Sequence, residues 1–173
     1  MIQTRASLCV TAFLLMLACS PSKPGTGTDT GTVASTTPDP AADKAAITKE
    51  HDVIEGGYRT SDCNAIVSVT ASDGVFEPPN TPSAKGVDAI RNWCQPLFTQ
   101  MKTKSLTVSN KDIDVSGDMA VDHGDYDWVL TPAKGGADVR SVGRYETIWR
   151  RQSDGSWKVA RLIWNSSEPA PRS

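Results

Sequence analysis

The sequence predicts an α+β domain, because helix-period segments come first and long strand segments follow. Two observations carry this. Between about residues 44 and 101 apolar side chains recur at three-to-four-residue spacing. From Leu106 onward, runs rich in Val, Thr, Tyr and Trp are separated by short turns that contain Gly. The last such pair, 143–151 and 157–165 around Asp154-Gly155, is aromatic throughout and reads as a hairpin.

The elements follow in order. Asp43 or a neighbour can cap a first helix that runs to about Thr60, with Ile47, His51, Ile54 and Tyr58 along one face. Gly56-Gly57 weakens that helix but permits close packing. Ser61-Asp62 opens a short second helix through Ala65, Ile66, Val67 and Val69. Asp73-Gly74 then turns into a strand at 75–77, which Pro78-Pro79 ends, and residues 82–86 continue as loop. A third helix covers 87–101, with Val87, Ile90, Trp93, Cys94, Leu97 and Met101 at helical spacing; Pro96 inside it predicts a kink or break. Strands at 106–115, 119–130, 139–151 and 157–166 are joined by turns at Gly117, Gly135-Gly136 and Gly155. Such short connections predict an antiparallel meander.

The two ends differ from this domain. Residues 1–19 carry Arg5 and an apolar run from Leu8 to Leu17, about half the roughly twenty residues needed to span a bilayer. This is the pattern of an export signal. It closes on Met16-Leu17-Ala18-Cys19-Ser20, which resembles the lipobox of bacterial lipoproteins, with Met16 where Leu is usual. That resemblance implies cleavage before Cys19, acylation of its thiol, and a membrane as partner. Ser20 after the cysteine implies the outer membrane, facing the periplasm, as the location in the cell envelope. Residues 20–43 are dominated by Pro, Gly, Thr, Ser and Ala without apolar periodicity, the composition of a disordered tether. The tail at 169–173 is expected to fray.

Composition narrows the function. The net charge is −2, so there is no basic footprint for nucleic acid. Cys63 and Cys94 remain after the signal; export allows a disulfide between them, and two buried thiols are the alternative. Together with only His51 and His123, they show no metal-ligand spacing, so neither metal nor cofactor is expected. There is no serine-hydrolase elbow, HExxH or phosphate loop.

Three stretches, taken in order, resemble the SnoaL-like, nuclear transport factor 2-like superfamily. They are Thr60-Ser61-Asp62-Cys63-Asn64-Ala65-Ile66, then Lys85-Gly86-Val87-Asp88-Ala89-Ile90-Arg91, and the two closing strands. The resemblance covers about 44–168 and is nearest to the superfamily's domains of unknown function. It implies a curved antiparallel sheet packed on three N-terminal helices around a cone-shaped pocket, and commonly a sheet-to-sheet homodimer.

Strand parity then selects the pocket side chains. The more aromatic face of 119–130 carries Ala120, Asp122, Gly124, Tyr126 and Trp128. The matching faces are Gly143, Tyr145, Thr147 and Trp149, then Ala160, Leu162 and Trp164. Ile54, Tyr58, Phe76 and Trp93 would close the cavity from the helical side. Arg144, Glu146, Arg161 and Asn165 fall on the opposite face, suited to solvent or a dimer seam, and His123 on the outer face reads as a surface histidine.

Ketosteroid isomerases of the superfamily use a carboxylate base near the end of the first strand and two hydrogen-bond donors. Carrying that pattern over puts Pro78 at the base, with Glu77 beside it aimed the other way. Ile54 stands at the first donor and Tyr145 at the second. Steroid isomerisation is therefore not expected. Asp122 and Tyr145 are the residues left for acid–base chemistry, a carboxylate in an apolar pocket beside a phenol. The resulting expectation is a lipid-anchored domain that binds a small apolar or aromatic molecule, or a protein partner. The alternatives are a small lyase, isomerase or hydrolase using Asp122 and Tyr145, and a structural dimerisation module.

Overall fold

Helix α1 (Pro40–Thr60) begins at Asp39, whose carboxylate accepts from the backbone N–H groups of Ala41 and Ala42. The structure, a computed structural model, describes residues 39–167. The export signal, Cys19, all but the end of the tether, and the tail lie outside them. Asp39 rather than Asp43 is the cap. Asp43 lies one turn inside α1, is 7% exposed, and faces the sheet. Ile47, His51 and Ile54 continue the same buried face.

Helix α2 (Cys63–Ser68) is capped by Asp62. It packs tightly on α1 at Gly57, where a Cβ would stand 2.8 Å from Ile66 Cγ1. Of the two glycines in α1, this is the one that close packing requires; a Cβ on Gly56 would meet nothing within 4 Å. Strand β1 (Thr70–Glu77) starts before Asp73-Gly74, which is therefore not a turn but lies in a bulge between Thr70 and Val75. Residues 82–86, expected as loop, contain the two-residue strand β2 (Ala84–Lys85), antiparallel to β1. Helix α3 (Val87–Gln100) runs through Pro96 without a break. Pro96 is exposed, and its missing N–H removes only one backbone bond.

Strands β3 (Met101–Ser116), β4 (Met119–Pro132), β5 (Val139–Arg151) and β6 (Trp157–Ser166) form the expected meander. The sheet has six strands in the order β2-β1-β6-β5-β4-β3. Its one departure from antiparallel pairing is β1 against β6, which is parallel. A parallel neighbour needs a long crossover, and everything from β2 to β5 serves as one.

Parity holds along β4, where Ala120, Asp122, Gly124, Tyr126, Trp128 and Leu130 are all buried. It fails at the start of β6. A register shift beside Trp149 sets Val159 opposite that residue, so Val159 is fully buried and Ala160 is the extra, half-buried residue. The core between helices and sheet centres on Trp149, Trp157, Phe76, Ile47, Ile66 and Ile90. Cys63 and Cys94, with Cα atoms 5.8 Å apart, form a disulfide that ties α2 to α3. The bond reduces the freedom of the unfolded chain.

Two polar contacts seat α1 at its ends. At the N-terminal end, Arg151 donates to both Asp43 oxygens at 2.7 and 2.6 Å. Trp157 Nε1 adds a bond of 3.3 Å, and the Arg151 guanidinium stands 4.4 Å from the Trp157 ring centroid. At the C-terminal end, Trp128 Nε1 donates to Thr103 Oγ1 at 2.9 Å, and that hydroxyl donates to the Tyr58 carbonyl at 2.6 Å. Hydrogen bonds to charged groups contribute about 1.5–3 kcal/mol. Asp43→Ala is expected to lower unfolding free energy by about that amount in a denaturant titration. The hydrogen bond from Arg151 outweighs burial and holds the Asp43 carboxyl below its ordinary value of 3.8. This contribution is present above the ordinary value and is lost as pH falls through the lower folded one. A wild-type minus Asp43→Ala stability difference that did not shrink in acid would contradict this.

Candidate functional site

One face of α1 and the concave face of the sheet meet across a narrow cleft. From α1 come His51, Ile54, Glu55 and Tyr58, which the helical period places on one side. From the sheet come Leu106 and Val108 of β3, Tyr126 and Trp128 of β4, Tyr145 and Thr147 of β5, and Leu162 and Trp164 of β6. The cavity measures about 80 Å³. Drug-sized sites measure about 300–1,000 Å³. The space therefore suits a compact, single-ring molecule better than a fused polycycle.

Its polar end is built on Asp122. This carboxylate is 0% exposed and both its oxygens are occupied. His51 Nδ1 lies 2.5 Å from Oδ2, and the Tyr145 hydroxyl donates to Oδ1 at 3.1 Å. A carboxylate accepts, so His51 carries its proton on Nδ1 in this contact, and Nε2 is the nitrogen left for a ligand. Nε2 is 3.5 Å from Glu55 Oε2. Burial opposes ionisation of Glu55, but the hydrogen bond from Arg59 and the charges of Lys111 and Arg59 outweigh it and lower its pKa. Glu55 is thus a charged wall and a poor base. Burial, followed by the Asp122 charge, raises the Tyr145 pKa, so its hydroxyl stays protonated and donates.

Local sequence explains the placement of the tyrosines. Gly124 pairs with Tyr145 across β4 and β5, and Tyr126 pairs with Gly143. Each ring lies over the glycine opposite. A Cβ on Gly124 would stand 2.8 Å from Tyr145 Cε1, and one on Gly143 would stand 3.1 Å from Tyr126 Cε1 and 1.8 Å from Asn165 O. Tyr126 in turn donates to Asn165 O at 3.0 Å.

The residues expected from sequence divide into two groups. Ile54, Tyr58, Tyr126, Trp128, Thr147, Leu162 and Trp164 line the cavity. Phe76 and Trp93 do not; they pack edge-on with each other and with Trp164, in a cluster behind the cavity wall. Asp122 and Tyr145 come together as expected, but Asp122 does not line the cleft, where His51 and Tyr145 stand between it and the open space. His51 was the missed residue. Its signal was a lone histidine on the apolar face of the first helix, opposite a lone carboxylate on an apolar sheet face. His51 and Asp122 also border a second, polar depression with Lys44, Thr48 and Lys111, which brings solvent to the far side of the pair. Glu77 points away from the cleft and pairs with Arg161 at 3.3 Å, and His123 is exposed. Among the described residues no group of three or more His, Cys, Asp or Glu could hold a metal ion.

Removing the Asp122 carboxylate leaves His51 and Tyr145 without an acceptor, at about 1–3 kcal/mol each. Asp122→Ala is therefore expected to cost about 2–6 kcal/mol, measured by denaturation. Asp122→Asn keeps the acceptor for Tyr145 and should cost clearly less; equal losses would refute this account of the network.

No curated protein matches the chain by sequence. Solved structures share its fold. A ketosteroid isomerase-like protein from Erwinia carotovora atroseptica superposes with a TM-score of 0.65 at 20% identity, over 72% of this chain and 96% of that one. A nuclear transport factor 2-like superfamily protein from Salmonella enterica serovar Typhimurium gives 0.67 at 16% identity, over 76% and 95%. A type 2 hexachlorocyclohexane dehydrochlorinase gives 0.67 at 19% identity, over 77% and 90%. The family model of the SnoaL-like domain matches residues 42–163, nearly all of the described residues. With its three helices, curved sheet and cleft, the chain belongs to the SnoaL-like domain family.

Proposed function

We propose that this domain takes a compact, largely apolar molecule into the cleft between α1 and the sheet and moves a proton on it, with His51 as the acid–base group. The observation that carries this is the 2.5 Å contact between His51 and the fully buried Asp122 at the wall of an apolar cavity. Asp122 holds the imidazole in one tautomer and orientation. Nε2 can then take a proton from a carbon beside a carbonyl or a leaving group and return it to a neighbouring atom. Tyr145 and Asp122 are positioning residues in this scheme. The surrounding Trp128, Leu162 and Trp164 exclude water and strengthen the polar contacts inside.

The sequence points first to binding, with Asp122 and Tyr145 as the alternative acid–base pair; a histidine at the cleft wall, backed by Asp122, favours proton transfer. The fold neighbour named as a dehydrochlorinase supports the reaction class, since elimination, like isomerisation, begins with removal of a proton. It says nothing of the substrate here.

Acetophenone, whose methyl protons lie beside a carbonyl, serves as a probe. Incubated in heavy water with the protein, it should take up deuterium faster than in buffer, followed by proton NMR. His51→Gln should slow that uptake by about a hundredfold or more, while leaving the quench of tryptophan fluorescence on binding intact. Equal rates in the two proteins would sink the proposal and return the cleft to simple binding.

We propose further that acyl chains on Cys19 hold the domain at the outer membrane, facing the periplasm. The support is the Met16–Ser20 segment and the Pro- and Thr-rich stretch after it. Cys19→Ser should move the protein from the membrane fraction to the soluble one, and unchanged membrane recovery would refute the anchor.

A further inference from the structure

Among the described residues two buried side-chain polar atoms make no hydrogen bond, Tyr58 Oη and Trp149 Nε1. Trp149 is fully buried in the core and does not line the cleft. Tyr58 lines the cleft. A buried donor without an acceptor is costly and uncommon, and at a cavity wall a ligand can supply the missing partner.

The rest of the residue is firmly held. The Tyr58 ring meets Trp128 and Phe98 edge-on, with centroids 5.5 and 6.1 Å away. Its carbonyl accepts from Thr103, as described above. A hydroxyl on so fixed a ring has a fixed aim. Burial raises the Tyr58 pKa, so the group remains a phenol and can donate. His51 and Tyr58 are seven residues apart on α1, two turns, or roughly 10 Å of helix rise. The cleft between them is apolar, with Ile54 on the helix and Leu106, Trp128 and Leu162 on the sheet.

We infer that Tyr58 is a ligand-anchoring donor, and that the molecule this cleft takes carries a hydrogen-bond acceptor, such as a carbonyl or ether oxygen, at the end remote from His51. This rests on the reading of the cleft as a ligand pocket, and it adds a specificity element that the His51 chemistry does not contain. An apolar ring without such an oxygen would leave the hydroxyl unpaired and bind less well.

The test compares 4-methoxyacetophenone with 4-ethylacetophenone, two molecules of nearly the same shape that both carry an acetyl group for the His51 end and differ at the far end in an ether oxygen against a methylene. Both are titrated against the purified protein by tryptophan fluorescence, since Trp128 abuts Tyr58. Wild type should prefer 4-methoxyacetophenone by about five- to tenfold, and Tyr58→Phe should abolish that preference by weakening 4-methoxyacetophenone alone. His51→Gln should retain the preference, which separates failure of the anchor from failure of the proton-transfer reading. A preference unchanged in Tyr58→Phe overturns the inference. So does a fall in the melting temperature of the unliganded Tyr58→Phe protein, because it would mean that the hydroxyl already has a partner; an equal or higher value is the expected result.

Discussion

The seating of α1 across the sheet is the constraint on which the rest depends. Every α1 residue that lines the cleft is positioned by how that helix lies, and three polar contacts fix it. The Asp43–Arg151 pair holds its first turns, His51–Asp122 its middle, and the Thr103 bond to the Tyr58 carbonyl its end. Apolar packing alone is non-directional and would tolerate some sliding of a helix on a sheet. Buried charge-assisted and oriented bonds do not. The same contacts that stabilise the domain therefore set the register between His51 and β4.

The site gains its character from an asymmetry between its two walls. The sheet wall is a paired ladder in which Asp122, Tyr145 and Thr147 occupy adjacent positions on neighbouring strands. The helix wall supplies the groups nearest the open space. A fully buried carboxylate that accepts from both a histidine and a tyrosine is a rigid base plate, and the imidazole is the part that reaches outward. This division explains why Asp122, which draws the eye in the sequence, acts at second hand. It also explains why Glu55, although closer to the cleft, is held as a charged group by Arg59 and Lys111.

Much of this was legible in the sequence, and the exceptions have physical causes. Strands β5 and β6 have the extents that their turn signals predicted, and alternation along β4 assigned its inner face. Alternation failed at Ala160 because a bulge beside Trp149 inserts a residue, and periodicity carries no mark of a bulge. The parallel pairing of β1 with β6 was hidden because it joins segments far apart in the chain, where no turn signal applies. His51 was visible on a helix face, but its partner lies 71 residues away. One-dimensional patterns show that a polar side chain faces inward without showing what it meets there. Phe76 and Trp93 illustrate the converse, since aromatic character predicted burial correctly and the burial serves a core cluster.

The two tyrosine-over-glycine pairs shape the cleft in a less visible way. Where each ring crosses its glycine, a backbone carbonyl lies close beneath, Ser109 O at Gly124 and Asn165 O at Gly143. The aromatic lining at those points is thus a veneer over main chain. Truncating Trp128 or Leu162 would enlarge an oily space, but truncating Tyr126 or Tyr145 would also remove the hydroxyl that satisfies Asn165 O or Asp122 Oδ1 and leave that acceptor without its donor. Selectivity of this cleft can therefore be redirected toward hydroxyl- or amine-bearing molecules by removing an aromatic ring, with no polar side chain added.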